Sequence, residues 1–324
     1  MHAKRLLVVL TLGMCLLFAA GCAQQTKPTS SEDNTKPGQT EQAASTKNNA
    51  PADTSLDPLA SITSSSRVVA LSRSVGEMWL LAGGQLVGTT DDALDLPSLA
   101  GDCVSIGTLS KPSLEQVVAC EPDLVMLTED LSVHKELHQS LDEAGIPVLV
   151  VNIDSFDDYD TVMQQLTAAT ERDDLYQQNV ADVRTQIESV IANATHEAGG
   201  TYLALRTSAT KNKVLKSDNF TCDMLDDLGL SNVADDTSTL DDLSLEAIAD
   251  VDPDWIFVVY QGDEAEAQKA YEEAFSQNPV WSELSATKNG HVVVLSKELF
   301  QYKPNAKWGE AYAYLSQVLY GSWA

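Results

Sequence analysis

The sequence is poor in basic residues and lacks the short motifs of several enzyme classes. It has 20 Lys and Arg against 48 Asp and Glu, which gives a formal net charge of −28 at pH 7. An acidic surface repels phosphates, so we do not expect a nucleic acid partner. The sequence contains no G-x-S-x-G, no P-loop and no H-E-x-x-H, which are motifs of hydrolases, nucleotide-binding proteins and metalloproteases. These absences predict a protein that is not an enzyme.

Cysteine and histidine are also scarce. There are five of each and no C-x-x-C, so a zinc site built on cysteine pairs is not expected. Acidic pairs such as Asp91-Asp92 lack the D-x-D-x-D-G loop of a calcium site and are interpreted as solvated surface. Two alternatives stay open for Cys103 and Cys120, a disulfide or free thiols, because the sequence does not give the distance between them.

The first 22 residues have the layout of a secretion signal and read MHAKRLLVVLTLGMCLLFAAGC. Lys4 and Arg5 precede an apolar stretch at residues 6–20, which is short for a membrane span of about 20 residues. Small residues then lead to Cys22. This arrangement looks like a bacterial lipoprotein signal, which predicts removal of residues 1–21 and lipidation of the Cys22 thiol. We therefore expect an extracytoplasmic protein that is anchored to the bacterial cell membrane.

Residues 22–66 have no apolar periodicity and are rich in Ser, Thr, Asn, Gln and Pro. Such a composition cannot bury enough apolar surface to offset the entropy that is lost on ordering. We expect a disordered, flexible tether that connects the lipid to a folded body beginning near Arg67.

Short apolar runs alternate with amphipathic stretches between residues 67 and 156, which we assign to an N-terminal lobe. Helical spacing occurs at residues 75–82 and 134–144, and runs of strand length occur at residues 67–71, 86–89, 104–107, 124–127 and 148–151. This alternation predicts a parallel sheet covered by helices. Such sheets bind ligands at the carboxyl ends of their strands.

Residues 157–198 interrupt this alternation because they contain no proline, no glycine and no strand pattern. Apolar residues recur at helical spacing from Asp174 to Ala194, which predicts one long connecting helix that acts as a stiff strut. A second, C-terminal lobe then follows at residues 199–324. Its predicted strands lie at residues 202–205, 255–260 and 291–295, and an amphipathic helix at residues 305–320 closes it.

A segment of the first lobe recurs 131 residues later. Residues 113–127 read SLEQVVACEPDLVML, and residues 244–258 read SLEAIADVDPDWIFV. Each copy has a short helical pattern, a Pro-Asp turn and an apolar run of strand length. The repeat predicts two similar lobes, and a cleft between two lobes is a natural place for a ligand.

Three stretches resemble one family of transport proteins, the substrate-binding proteins of ABC importers for iron complexes and cobalamin. They read RVVALSRSVGEMWLLAGGQLVGTT, IGTLSKPSLEQVVACEPDLVML and LFQYKPNAKWGEAYAYLSQVLYG. The resemblance covers roughly residues 67–320. It implies an α/β fold of two Rossmann-like lobes, joined by one long rigid helix, with the ligand cleft between the lobes. It also implies a monomer that does no chemistry and has no intrinsic cofactor.

In this family a Glu near the top of each lobe docks onto arginines of the permease. The matching residues here are Glu115 and Glu246, the Glu of each S-L-E. A carboxylate in the first turn of a helix is favoured by the helix dipole, and paired with Arg it forms directed, charge-assisted bonds. Stabilisation of the helix alone is the competing explanation for each Glu.

The resemblance also implies a ligand site formed by loops of both lobes. Aromatic side chains would stack on a bulky ligand, and Arg and Lys would pair with its acidic groups. The expected residues are Ser72, Arg73, Ser74, Trp79, Leu109, Ser110 and Lys111 in the first lobe, and Arg206, Lys213, Lys216, Phe220, Tyr260, Phe300, Tyr302 and Lys303 in the second.

The implied ligand is a ferric siderophore, haem or a corrinoid, delivered to an ABC permease with its ATPase. Haem needs an axial ligand. His134 and His138 share a helix face at a spacing of four, but we interpret them as a solvated pair, which leaves Tyr260 and Tyr302 as alternatives. A receptor for free metal ions is the second hypothesis, although no His-rich loop occurs. An extracytoplasmic hydrolase is the third, and it would need a nucleophile bonded to a His.

Overall fold

A computed structural model describes residues 57–194, 199–235 and 237–321. The predicted signal segment, the lipidation site Cys22 and the tether up to residue 56 lie outside these residues. Within them, no helix is both long and apolar enough to cross a membrane. Residues 57–66 precede the first strand, and Ile62 among them is 5% exposed in the main hydrophobic core. The packed body therefore begins before Arg67.

The first lobe contains a parallel sheet and a small hairpin. Its strands in chain order are β1 (Val68–Ala70), β2 (Leu86–Thr89), β3 (Val104–Ser105), β4 (Gly107–Thr108), β5 (Lys111–Pro112), β6 (Leu124–Leu127) and β7 (Val148–Val150). The sheet has the order β3-β2-β1-β6-β7, and β4 and β5 form the hairpin. Three helices accompany it, namely α1 (Arg73–Leu81), α2 (Leu114–Ala119) and α3 (Ser132–Glu143).

The alternation of side chains along β1 explains why the strand is apolar throughout. Val68 and Ala70 point into the main core, while Val69 and Leu71 point into a second core on the other face of the sheet. Successive residues of a strand face opposite sides, and a parallel sheet is covered on both sides. The short apolar runs in the sequence therefore correspond to strands that are buried on both faces.

The connecting region consists of helical segments with one break. They are α4 (Phe156–Ala169), α5 (Asp173–Tyr176) and α6 (Asp182–Asn193), and a π-helical turn at Gln177–Ala181 makes α5 and α6 continuous. Glu171, with φ +57°, separates α4 from this longer helix. The predicted helix from Asp174 is thus present. The rest of the region is a second helix, because a left-handed residue cannot continue a right-handed helix.

The second lobe repeats the plan of the first. Its strands are β8 (Gly200–Thr207), β9 (Asn212–Leu215), β10 (Leu230–Asn232), β11 (Trp255–Tyr260) and β12 (Val292–Leu295). The parallel order is β10-β8-β11-β12, and β9 pairs antiparallel with β8. The helices are α7 (Phe220–Asp227), α8 (Leu245–Val251), α9 (Glu264–Tyr271), α10 (Pro279–Glu283), α11 (Ser285–Lys288), α12 (Lys297–Phe300) and α13 (Trp308–Tyr320).

The sequence repeat extends to hydrogen bonds and backbone conformation. The Ser113 and Ser244 hydroxyls cap α2 and α8 in the same way. In each copy the residue before the Pro-Asp turn is left-handed. Asp123 then accepts a bond from the Arg67 N–H at 2.7 Å, and Asp254 accepts one from the Thr201 N–H at 2.8 Å. Both Asp residues thus hold the first strand of their lobe, and the prediction of two similar α/β lobes is confirmed.

One hydrophobic core runs through both lobes. It includes strand residues of the two large sheets, such as Val68 and Tyr202. At its centre the Trp308 ring contacts Phe156 of the connecting region and Phe220 of α7 edge-on, with ring centroids 5.7 Å apart in both pairs. These aromatic contacts pack the second lobe against the connecting region.

Candidate functional site

A cleft lies between the two lobes. Its cavity volume is about 200 Å³, or about 900 Å³ if the space open to solvent is included. The first lobe lines it with Ser72, Arg73, Ser74, Val75, Met78, Asp92, Leu109, Thr128, Asp130, Leu131, Val151 and Ile153, and the second with Arg206, Phe220, Gln261, Gln301, Tyr302 and Lys303.

The lining residues follow the carboxyl ends of the parallel strands. Thr128 comes directly after β6, Val151 after β7 and Gln261 after β11. Ser72 follows β1 and begins α1, where its hydroxyl accepts a bond from the Val75 N–H at 3.3 Å. The cleft therefore lies where ligands bind in parallel α/β sheets.

Arg206 is a cation of the cleft that forms no ion pair with the described residues. It lies near the end of β8, and its Nε is buried without a hydrogen-bond acceptor among the described residues. Burial lowers the pKa of Arg206, while the carboxylates Asp130 and Asp218 act in the opposite direction. A buried guanidinium without a close partner is costly for the fold. Such a group marks a place where an anion of a ligand would be stabilised.

Arg73 is held by groups of its own lobe. Its Nη1 donates to the Asp92 carbonyl and to the Asp95 carboxylate. Its guanidinium carbon lies 5.6 Å from the centroid of the Tyr302 ring, a distance typical of a cation–π contact. Arg73 thus presents a partly neutralised charge together with the aromatic face of Tyr302.

Lys303 is engaged on both lobes. Its ammonium donates to the Ile153 carbonyl and lies 3.8 Å from a carboxylate oxygen of Asp154, both in the first lobe. It also lies 4.9 Å from the centroid of the Phe220 ring in the second lobe. Burial lowers the pKa of Lys303, and Asp154 is the first of the groups that raise it.

Three of the expected aromatic residues lie in the hydrophobic cores and do not line the cleft. Trp79 is fully buried on α1 and donates from Nε1 to the Gln85 carbonyl at 2.9 Å. Tyr260 packs against Tyr271 in the core of the second lobe, and Phe300 packs against Tyr314.

Three of the four expected lysines and Ser110 also lie outside the lining. Lys213 is an exposed residue of β9, and Lys111 is an exposed residue of the β4–β5 hairpin. Lys216 bonds to the Thr237 carbonyl at 3.0 Å and to Asp241 at 2.7 Å, so its charge is neutralised. Ser110 lies in a shallower recess next to the cleft. The structure therefore brings together Ser72, Arg73, Ser74, Leu109, Arg206, Phe220, Tyr302 and Lys303.

Several polar lining residues were not expected from the sequence. Asp92, Thr128, Asp130, Gln261 and Gln301 face the cleft between the expected residues. Two of them, Thr128 and Gln261, immediately follow predicted strands. The rule that ligands bind at carboxyl ends of strands would have found these two.

His134 and His138 are not a solvated pair. His134 is fully buried, and its ring nitrogens each lie 3.1 Å from a carbonyl oxygen, of Thr128 and of Leu109. Burial lowers the pKa of His134. His138 bonds to Glu129 at 2.8 Å. Neither ring lines the cleft.

The three cysteines that the structure describes form no disulfide. Cys103, Cys120 and Cys222 are free thiols, and burial raises the pKa of Cys103 to about 11. In the described part of the chain, no group of three or more His, Cys, Asp or Glu residues could hold a metal ion.

Glu115 and Glu246 occupy matching places in the two lobes. Each lies in the first turn of its helix, α2 or α8, and each side chain is exposed. Among the described residues neither carboxylate forms an ion pair within 4.0 Å. Their carboxylates are therefore available to a partner.

Comparison with known proteins identifies the family. The sequence profile described as "Periplasmic binding protein" matches residues 68–299. The chain therefore belongs to the periplasmic binding protein family, whose members bind solutes and are not enzymes. Substrate-binding proteins of ABC transporters deliver their ligands to a permease and its ATPase.

Three similar proteins illustrate this relationship. The Fe(3+)-citrate-binding protein YfmC of Bacillus subtilis is 24% identical over 234 residues, which cover 70% of this chain and 71% of that protein. The putative ABC transporter substrate-binding lipoprotein YhfQ of the same organism is 23% identical and covers 73% and 78% of the two chains. The structure of S. aureus IsdE complexed with heme shares the fold with a TM-score of 0.70, 19% identity and coverage of 79% and 99%.

Proposed function

We propose that this protein is an extracytoplasmic lipoprotein that captures an anionic ferric complex, a ferric siderophore or haem, and delivers it to the permease of an ABC importer. A corrinoid is the next ligand class. The observation that carries the proposal is Arg206 in the cleft between two α/β lobes, because its buried Nε has no acceptor among the described residues. An anionic group of a ligand would supply the partner that this guanidinium lacks.

The remaining lining residues suit a bulky ligand with acidic groups. Phe220 and Tyr302 offer aromatic faces, Arg73 adds a second guanidinium, and Ser72 and Ser74 add hydroxyls. Aromatic rings provide contact area, and hydroxyls adapt as donors or acceptors. We assign ligand contact to these residues and to Arg206.

The names of the relatives favour iron complexes. One is named for ferric citrate, and one solved structure was determined with heme. Haem requires an axial ligand such as His, Tyr or Met, and Met78 and Tyr302 are side chains of this kind that line the cleft. A ferric chelate brings its iron already coordinated and needs only charge and shape complementarity.

Anchoring and delivery complete the proposal. Lipidation at Cys22 would hold the protein at the membrane, the 22–66 segment would act as its tether, and the body would work as a monomer. Glu115 and Glu246 would dock onto basic residues of the permease, one contact for each lobe.

The proposal is tested by titrating the intrinsic tryptophan fluorescence of the mature chain (residues 22–324, with Cys22→Ala). The probes are ferric citrate, a ferric siderophore, haemin and cobalamin, with free Fe³⁺ and Zn²⁺ in parallel. Trp308 contacts Phe220 of the cleft, so it reports on occupancy. We expect saturable quenching by an iron complex at submicromolar concentration. Saturation by free ions alone would support a free-metal receptor, and no response in a folded sample would contradict the proposal.

A further inference from the structure

The lobes are held together by a second contact besides the connecting helices. The segment between α12 and α13 of the second lobe binds to α1 of the first lobe. The Lys303 N–H donates to the Ser74 hydroxyl at 3.1 Å. The Asn305 amide nitrogen donates to the Ser74 carbonyl at 3.1 Å and to the Glu77 carboxylate at 2.7 Å. Three hydrogen bonds thus fix this segment to one turn of α1.

Asn305 holds an unfavourable backbone conformation at this contact. Its φ is +54°, and the residue is 0% exposed. A non-glycine residue with positive φ costs free energy and persists only when the surroundings determine it. Here the two bonds from the Asn305 amide provide that determination. The contact is therefore a specified feature of the fold.

The Lys303 side chain extends the same contact across the cleft. Its ammonium is bound to the Ile153 carbonyl, close to Asp154, and faces the Phe220 ring. The ammonium of Lys303 therefore has partners within the protein and needs none from a ligand. In this respect it differs from Arg206, whose Nε is buried without an acceptor among the described residues.

We propose that Lys303 and Asn305 form a brace that sets the width of the ligand cleft, with Lys303 acting as a positioning residue on the two lobes. The brace lies in the segment that carries Gln301 and Tyr302 into the cleft. A change in the distance between the lobes would therefore also move Gln301 and Tyr302 in the cleft. The effect of the brace on ligand affinity rests on the proposed function. The brace itself rests only on the contacts between the lobes.

The variants at Glu77 leave the cleft lining untouched, whereas those at Lys303 change a lining residue. Glu77 accepts a bond from Asn305 but does not line the cleft. Glu77→Leu removes the acceptor, and Glu77→Gln is the matched control because an amide oxygen still accepts a bond. Lys303→Met removes the ammonium at similar volume, and Lys303→Arg retains a donor for Ile153. Thermal melting identifies any variant that does not fold.

Two measurements are made on each variant of the mature chain. Fluorophores on unnatural amino acids at the exposed positions Gln116 and Asp250, one in each lobe, report the interlobe distance without ligand. Affinity is measured with the iron complex that saturates the wild type. We expect Glu77→Leu and Lys303→Met to lengthen and broaden the distance distribution. Their affinity should fall by about tenfold if about a tenth of the molecules keep the binding width. Glu77→Gln should match the wild type in both measurements, and Lys303→Arg should keep the wild-type interlobe distance.

Other results would overturn the brace. Loss of affinity in Lys303→Met at unchanged interlobe distance would make Lys303 a direct ligand contact. An unchanged distance in Glu77→Leu would show that Asn305 does not set the width. If Glu77→Leu does not fold, the interlobe distances of Lys303→Met and Lys303→Arg decide whether the brace exists. If the wild type binds no probe, the proposed function fails, while the distance measurement still decides the brace.

Discussion

Arg206 of β8 and Lys213 of β9 are direct partners in the register of the second sheet. Directly opposite residues of antiparallel strands share one face of the sheet. Nevertheless, Arg206 lines the cleft and is half-buried, whereas Lys213 is exposed and lies outside the lining. Two basic residues of similar length on one face therefore have different environments, which provides a matched pair for mutagenesis.

Replacing Arg206 should weaken ligand binding and stabilise the fold. In Arg206→Met, a bound anion loses its buried partner, and we expect a loss of affinity of about 100-fold, or ~3 kcal/mol. The ligand-free protein no longer buries an unpaired charge, so its free energy of unfolding should rise by about 1–2 kcal/mol. Fluorescence titration and urea denaturation measure the two effects.

Lys213→Met is the control for this prediction. It removes the same charge from the neighbouring strand and should change neither affinity nor stability by more than about 0.5 kcal/mol. Equal losses of affinity in both variants would mean that a general positive potential, and not Arg206, attracts the ligand.

The paired glutamates should matter for delivery and not for capture. In Glu115→Ala with Glu246→Ala, we expect wild-type affinity for the iron complex but loss of uptake in cells, because both carboxylates lie on exposed helix turns outside the cleft. Glu136→Ala with Glu266→Ala, two exposed glutamates elsewhere on the lobes, is the matched control. Undiminished uptake by a folded Glu115/Glu246 variant would contradict docking through this pair.

The α7 carboxylate Asp223 should make stability depend on pH. The pKa of Asp223 is raised from 3.8 to about 6. Burial is the largest cause, and the negative charges of Asp227, Asp226, Asp157 and Asp158 add to it. The folded state therefore keeps a proton that the unfolded state loses between these values. This group lowers stability above about pH 6, and the penalty disappears below about pH 4.

Asp223→Asn should reproduce the protonated state. At pH 7.5 we expect its free energy of unfolding to rise by about 1 kcal/mol after discounting for solvent screening of a half-exposed group. The melting temperature would then rise by about 2–4 °C. Melting curves at pH 7.5 and pH 4 measure the effect, and the advantage should be absent at pH 4. Asp250→Asn, on the exposed face of α8, should show no such gain.

Trp308 should contribute strongly to stability through its two aromatic neighbours. Trp308→Ala opens a cavity between Phe156 and Phe220 and should cost about 3–5 kcal/mol. Trp308→Phe should cost clearly less, because the buried Nε1 of Trp308 has no acceptor among the described residues and Phe removes that unpaired donor. Urea denaturation measures both. Equal losses in the two variants would indicate that Nε1 has an acceptor, such as a buried water.

The lobes could be predicted because their strands are apolar on both faces and their repeat keeps its spacing. The break at Glu171 could not, because the segment has no Gly or Pro and a left-handed Glu has no sequence signature. Residue 305 is a similar case, since its conformation depends on contacts with α1 that are more than 200 residues away in the chain.

The candidate site was predicted in part because nearness in sequence does not give the direction of a side chain. Tyr260 continues the face of Ile256 and Val258, which is the core face of the second lobe. Arg206 continues the face of Tyr202 and Ala204, which leads toward the cleft. Alternation along the strands would therefore have separated the two residues. The bonds of Lys216 with Asp241 and of Lys303 with Ile153 join residues that are distant in sequence, and no local pattern encodes them.

The hydrophobic core that continues through both lobes has a mechanical consequence. Two halves that share Phe156, Phe220 and Trp308 cannot separate widely without exposing aromatic surface to water, and such exposure is unfavourable in proportion to its area. The body should therefore unfold as one cooperative unit. Under the proposed function, such a protein would release its ligand after a small distortion of the cleft, and the docked permease would supply the force for that distortion.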